Sequence, residues 1–317
     1  MIFSPSERSC AKAAGILRSG GLVAFPTETV YGLGADATSD SAVAGIFEAK
    51  QRPSFNPLIV HVASAETAKE IGYFDDTSRG LAEKFWPGPM SLVVPRSADC
   101  PISLLVSAGL KTVAIRVPAH PIAQILLSKT GLPVAAPSAN ASGRVSPTTA
   151  VHVETSLEKR VDMILDDGPC AVGLESTVID CTADKPTILR PGGLTKEEIE
   201  AVTGPLAVLA TPHDAPASPG MLESHYAPDA ELRLGVSSIL SNHSLLSFGK
   251  HAHSGFVAER NLSPEGNLVE AAANLFAMMR ELDEIGAPIA VTPIPEHGLG
   301  LAINDRLRRA AAPHPAT

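Results

Sequence analysis

Residues 21–34 read Gly21-Leu22-Val23-Ala24-Phe25-Pro26-Thr27-Glu28-Thr29-Val30-Tyr31-Gly32-Leu33-Gly34. Gly21–Phe25 is a short apolar run of the kind that forms a buried strand. Pro26 ends it, because proline has no N–H to give to a ladder. Two threonines and a glutamate follow at once. A polar cluster at the end of a buried strand is where α/β proteins place their ligands. An amphipathic stretch precedes the run: between residues 6 and 19, Ala11, Ala14, Ile16 and Leu17 fall near one face. Another follows from Ser41 to Lys50, where Val43, Ile46 and Phe47 group together and Pro53 stops the helix. Helix, strand, polar turn and helix in succession point to an α/β domain.

The alternation continues outward. Leu58–Val62, Leu92–Val94, Thr112–Val117, Val134–Ala136, Met163–Leu165, Thr177–Ile179 and Thr187–Leu189 read as strands. Pro121–Thr130 and Thr148–Lys159 read as helices. From Pro205 to Pro228 the texture changes, with Pro205, Pro212, Pro216, Pro219 and Pro228 set among Ala, Ser and Gly. Such a stretch cannot hold a helix and predicts a semi-extended linker over 206–230. Beyond it, strands are expected at Glu231–Val236, Leu245–Phe248, Gly255–Ala258 and Pro288–Thr292, with helices at Glu265–Ile285 and Leu299–Ala312. The chain therefore divides into a larger α/β domain (1–205), the linker, and a smaller α/β domain (231–317).

Composition bounds the function. The 317 residues suffice for two domains, and 44% hydrophobic against 19% charged residues can pack cores. The net charge of −9 excludes a basic nucleic-acid coat, though not a local basic cleft. Aromatics, at 4%, are thin for a protein that stacks many bases. Basic residues concentrate in the first domain, 18 of them up to position 205 against 7 beyond it. Cys10, Cys100, Cys170 and Cys181 show no CxxC spacing and read as four reduced thiols. No run approaches the roughly 20 apolar residues of a membrane helix, and Met1–Cys10 lacks an apolar signal core. A cytoplasmic protein with no membrane partner is expected.

Common nucleotide and hydrolase motifs are missing. Gly249-Lys250 runs into His251, and neither Gly32-Leu33-Gly34 nor Gly298-Leu299-Gly300 has the third glycine of a dinucleotide fingerprint. There is no GxSxG and no HExxH. What remains is a set of polar clusters near strand ends: 26–34, Lys50 to Pro57, Pro137 to Thr148, Leu174 to Val178 and Leu189 to Gly193. Each has a purely structural reading. Lys50 in a last helical turn complements the dipole, Ser138 and Asn140 are ordinary turn formers, and a strand histidine such as His61 is commonly a core residue. Arg116, inside Val113-Ala114-Ile115-Arg116-Val117, is harder to dismiss, because a charge in an apolar run must be paired or reach a strand end. Taken together, Lys50, Arg52, Arg116 and Arg190 supply cations, and Asn56, Thr112, Ser138 and Ser146 neutral donors. That mixture suits a polyphosphate and a carboxylate held in one cleft. No nucleophile or acid–base dyad stands out. Nucleotidyl transfer can proceed without one, through positioning and charge neutralisation.

At these residues the sequence resembles the threonylcarbamoyl-AMP synthase family, the YrdC-type enzymes. The shared motifs are Pro26–Gly34, Lys50-x-Arg52-Pro53 with Ser138-x-Asn140, Asn56-Pro57-Leu58 with His61, Trp86-Pro87-Gly88-Pro89, Arg116-x-Pro118-x-His120-Pro121, Ser146-Pro147-Thr148, Glu175–Val178 and Arg190–Gly193. Ser218–Met221, His225–Pro228 and Ala302–Leu307 resemble the linker and C-terminal domain of the longer, two-domain form. The resemblance implies a YrdC-like twisted open sheet with flanking helices, plus a smaller Rossmann-like domain. It implies conversion of L-threonine, bicarbonate and ATP to threonylcarbamoyl-AMP and pyrophosphate, the product being used by other proteins that modify tRNA. It carries ATP contacts to Lys50, Arg52, Asn56, Thr112, Ser138, Ser146, Arg190 and Tyr226. Threonine contacts fall on Thr29, His61, Arg116, Ala136 and Ser176. Lys50, Arg52, Ser138 and Asn140 form the catalytic pairing, and Mg2+ accompanies the nucleotide. Tyr226 in the linker implies a lid. Leu222-Glu223-Ser224 departs from the basic residues the family often carries there.

Two other readings compete. One is a YrdC-like module that binds tRNA or double-stranded RNA on a concave basic face; the acidic balance and few aromatics argue for weak or no direct nucleic-acid binding. The other is a carbamoyl-transferring maturation enzyme, which would carry zinc-finger-like cysteines absent from this chain.

Overall fold

The computed structural model describes residues 1–52, 56–207, 224–235 and 241–313. Pro53, Pro212, Pro216, Pro219, Ser218–Met221 and the Leu222-Glu223 departure lie outside the described residues. The first domain runs β1 (Ile2–Phe3), α1 (Glu7–Arg18), β2 (Val23–Phe25), β3 (Gly32–Asp36), α2 (Asp40–Lys50), β4 (Ile59–His61), α3 (Ala65–Ile71), α4 (Asp76–Phe85), β5 (Met90–Pro95), β6 (Thr112–Arg116), α5 (Pro121–Thr130), β7 (Val134–Ala135), α6 (Ala150–Leu157), β8 (Met163–Leu165), β9 (Thr177–Asp180), β10 (Thr187–Arg190) and α7 (Lys196–Thr203). The second runs β11 (Leu232–Leu234), β12 (Ser244–Ser247), β13 (Glu259–Asn261), α8 (Leu268–Asp283), β14 (Ile289–Val291) and α9 (Leu299–Ala310).

Each strand expected in the first domain forms, within a residue or two of its ends. They assemble a mixed sheet in the order β1-β8-β2-β3-β7-β4-β6-β5-β9-β10. Two strands have no counterpart among the expected ones: Ile2–Phe3 pairs parallel with β8, and Gly32–Asp36 pairs antiparallel with β2, so Pro26–Tyr31 is the loop of a hairpin. Gly34 permits this, since a Cβ there would come within 2.9 Å of Phe25 and Val134. Successive side chains alternate between the two faces. Phe25 and Met163 pack with Leu17 and Leu126 under α1 and α5, while Ala24 and Ile164 pack with Ile46 and Leu81 on the opposite side. A Ser6 capping box starts α1, and Gln51, with φ of 52°, turns the chain sharply after α2.

The smaller sheet is parallel throughout, ordered β11-β14-β12-β13. The strand expected at Gly255–Ala258 forms instead at Glu259–Asn261, and Gly255 sits at φ of 85°. As an edge strand paired only with β12, it tolerates half-buried Glu, Arg and Asn in place of an apolar run. Val30, Val145 and Leu174 of the first domain join Leu275, Phe276 and Leu307 of the second in one buried cluster, so the second domain's core extends onto the loops of the first. No helix among the described residues is long and apolar enough to cross a membrane.

Candidate active site

A cleft opens where the β2–β3 loop meets the ends of β4 and β6 and the loops at 136–138 and 175–176. Its far wall is His225-Tyr226, the end of the linker. Of the expected site residues, Thr29, Arg52, His61, Arg116, Ala136, Ser138, Ser176, Arg190 and Tyr226 line it together.

One end is organised around Arg116, the last residue of β6. Parallel pairing sets His61 of β4 beside it. The Arg116 Nη1 donates to Thr29 Oγ1 at 2.8 Å, Nε donates to the Gly88 carbonyl at 3.2 Å, and Nη2 faces Glu28 Oε1 at 2.6 Å. Thr29 is itself fixed by Thr27, 2.7 Å away. Burial alone would raise the Glu28 carboxyl, but the adjacent Arg116 holds it below its ordinary value. The charge in the apolar run is therefore both paired and delivered to a strand end. Burial, then the neighbouring Arg116, push His61 down to about 3, so its imidazole is neutral at pH 7.

The other half holds the remaining cations. Arg190, at the end of β10, donates to the Ser176 carbonyl at 2.9 Å and to its hydroxyl at 3.2 Å. Ser91 supports Ser176 from behind at 2.8 Å. Arg52 donates to the Pro57 carbonyl at 3.2 Å, and burial pushes its guanidinium down to about 10. Lys50 does not line the cleft. Its ammonium is fully buried and donates to the Ser138 carbonyl at 2.5 Å and to the Asn140 carbonyl. It thus pins the loop that presents Ser138. Asn140 turns inward too, donating to the carbonyls of Ala141 and Arg144. The Lys50-x-Arg52 and Ser138-x-Asn140 pairing is real in space, but two of its four members act on the loop backbone.

Other expected contacts stand apart. Ser146 is buried behind the cleft wall and donates to Glu175 Oε1 at 2.5 Å. Asn56 is buried beside Arg52, and its amide has no partner among the described residues. Thr112 begins β6, four residues back from Arg116, and is not brought into the cleft. Glu28, Glu175 and His225 fall within sequence motifs that by themselves give them no role. The structure places Glu175 and His225 in the cleft wall and Glu28 against Arg116.

Tyr226 is buried in a left-handed backbone conformation, φ 65°, which is costly for a non-glycine residue. Its ring stacks on Phe276 of α8 at 5.6 Å and meets His225 edge-on at 4.1 Å. Burial, then the cations of the cleft, push His225 well below its usual value. Both histidines are thus neutral when folded yet charge below about pH 6.5 when unfolded. The unfolded chain binds more protons in that range, so stability falls as pH drops below 6.5. His61, with its folded value at about 3, should cost roughly 2 kcal/mol by pH 5, and His225 acts in the same direction. Urea unfolding at pH 7.5 and 5 checks this; a flat profile would mean that the folded imidazoles are charged.

Comparison with known proteins gives the family. A family model for Sua5, YciO and YrdC proteins, described as "Telomere recombination", matches residues 15–192. A second, "Threonylcarbamoyl-AMP synthase, C-terminal domain", matches residues 194–312. The threonylcarbamoyl-AMP synthase of Bacillus subtilis is 42% identical over 98% of this chain and 94% of its own length. That of Pyrococcus abyssi is 43% identical over 94% of this chain and 93% of its own. A crystal structure of P. abyssi Sua5 complexed with L-threonine superposes with a TM-score of 0.90 at 39% identity, covering 98% of this chain and 97% of that one. With both domain models matched in order and full-length relatives at this identity, the chain belongs to the threonylcarbamoyl-AMP synthase family.

Proposed function

We propose that the chain condenses L-threonine, bicarbonate and ATP to threonylcarbamoyl-AMP and pyrophosphate. The observation that carries this reading is the Arg116 end of the cleft: a buried guanidinium, a fixed hydroxyl on Thr29 and a neutral imidazole on His61. Those three groups suit an α-amino acid. A guanidinium takes the carboxylate in a fork, and the hydroxyl and imidazole are short-range partners for its amine and side chain. Arg52, Ser138 and Arg190 face the adjoining half, where a triphosphate would need cations and neutral donors.

The chemistry then needs little from the protein beyond placement. The amine of threonine adds to carbon dioxide drawn from bicarbonate and loses a proton, giving a carbamate. A carbamate oxygen attacks the α-phosphorus, and pyrophosphate leaves. Arg52 and Arg190 offset charge on the phosphates, and Lys50 holds the Ser138 loop at the distance the reaction requires. Closure by His225-Tyr226 keeps water from a carbamate that would otherwise decompose. Mg2+ would travel on the nucleotide's own phosphate oxygens and offset charge there. The two carboxylates beside the cleft, Glu28 and Glu175, are each engaged by an arginine, and no group of three or more metal-ligating acids, histidines or cysteines occurs among the described residues. The product would pass to tRNA-modifying proteins, with weak or no direct nucleic-acid binding and a cytoplasmic site of action in keeping with the acidic chain.

The test is pyrophosphate release from ATP with each co-substrate omitted in turn. Turnover should require both threonine and bicarbonate. Equal release without threonine would rule the assignment out.

A further inference from the structure

We propose that Arg306, on α9 of the C-terminal domain, is a positioning residue for the nucleotide half of the cleft, acting through Glu175 on Ser146 and through the ring of Tyr226. The proposal rests on the reading above for which substrate occupies that half.

Arg306 is fully buried, and it belongs to the domain that contributes no residue to the lining of the cleft. Its Nε donates to Glu175 Oε2 at 2.9 Å. The other oxygen of the same carboxylate accepts from Ser146 Oγ at 2.5 Å. The chain of contacts therefore runs from the second domain, through one carboxylate, to a hydroxyl of the first. Nη1 donates to the Pro191 carbonyl, beside Arg190, at 2.8 Å. The guanidinium also lies 5.1 Å from the centre of the Tyr226 ring, where a cation is attracted to the aromatic face.

The loop that carries Glu175 is clamped from both sides. A Cβ on Gly192 would come within 2.3 Å of the Glu175 carbonyl, and one on Gly173 within 2.5 Å of the α8 backbone at Ala272 and Ala273. From the same helix, Arg280 donates to the carbonyl of Val145, next to Ser146. The C-terminal domain thus touches the backbone of both loops and ties their side chains together at Arg306. A buried ion pair is a poor device for stability, since apolar residues of similar volume commonly serve as well. It does fix direction: with Arg306 present, Glu175 has one orientation, and Ser146 has one acceptor.

Four full-length proteins test this: wild type, Arg306→Met, Glu175→Gln and the double variant. Methionine keeps the apolar stem and removes the fork. Calorimetry with Mg2+·ATP and with L-threonine separately should show ATP affinity reduced about tenfold or more in Arg306→Met, the scale of a lost charge-assisted contact, with threonine affinity within twofold of wild type. In the double variant Glu175 is no longer a stranded charge, and Asp305, which also pairs with Arg306 at 2.8 Å in the wild type, keeps its pairing with Arg309. The Gln carbonyl still accepts from Ser146, so ATP affinity should recover most of that loss. Unchanged ATP affinity in Arg306→Met, equal weakening of both substrates, or additive losses in the double variant would overturn the proposal. Should Arg306→Met not fold, Arg306→Lys replaces it, with the same split between the two substrates expected. Wild-type pyrophosphate release that ignores threonine would defeat the functional reading, while the ATP-binding arm would still report on Arg306.

Discussion

Replacing Arg116 with alanine should weaken L-threonine binding by roughly 10²–10⁴-fold, from two charge-assisted hydrogen bonds at about 1.5–3 kcal/mol each, and leave ATP binding nearly unchanged. The separation follows from geometry, because Arg116 closes one end of the cleft and faces Thr29 and Glu28 rather than Arg52 or Arg190. A second effect must be separated from the first. Glu28 would lose its cation while remaining mostly buried, and a stranded charge of that kind costs about 3–5 kcal/mol of stability. With Arg116 gone, burial raises the Glu28 carboxyl against only the backbone hydrogen bonds at Glu28 and Ala119. The double variant Arg116→Ala/Glu28→Gln removes the stranded charge. It should regain most of the lost stability and none of the threonine affinity. Calorimetry for each substrate, alongside urea unfolding, separates the two. Equal loss of ATP binding would move Arg116 to the phosphate half.

The folding of the first domain was largely legible because its strands are apolar runs bounded by Gly, Pro or polar clusters, and local pattern decides such segments. What escaped had no local signal. Ile2–Phe3 is two residues long and is a strand only because β8 lies beside it. Gly32–Asp36 reads as a glycine turn until Phe25 and Val134 are seen to leave no room for a side chain. Helices α3, α4 and α7 are short and mostly polar, with few buried positions to reveal a face. In the site, the residues that touch ligand-sized space were marked by motif, but their supports were not. Glu175 lies 131 positions from Arg306 and Ser91 lies 85 from Ser176, separations that no periodicity reports. Lys50 shows the converse. Its position in a motif suggested a phosphate contact, and only the fold reveals that its protons go to the Ser138 and Asn140 carbonyls.

Tyr226→Ala should lower turnover by about 100-fold or more, the scale of a misplaced or opened site, and should destabilise the chain by about 3–5 kcal/mol, as for other buried aromatic truncations. The ring fills the space between Phe276 and Arg306, so its loss leaves a cavity where the two domains meet. It also removes the wall that separates the cleft from the linker side. Alanine cannot relieve the left-handed backbone at this position, so nothing offsets the loss. Tyr226→Phe divides the packing contribution from the hydroxyl. Tyr226 lines the cleft, and its hydroxyl is buried with no partner among the described residues. A ligand group is the partner such a donor would await, since a buried hydroxyl left unpaired costs about 1–3 kcal/mol. Phenylalanine should therefore keep the fold, keep threonine affinity, and raise KM for ATP several-fold. If Tyr226→Phe matches wild type in KM while Tyr226→Ala is inactive, the ring acts as a wall alone. If both variants turn over normally, water exclusion by this segment plays no part in the reaction.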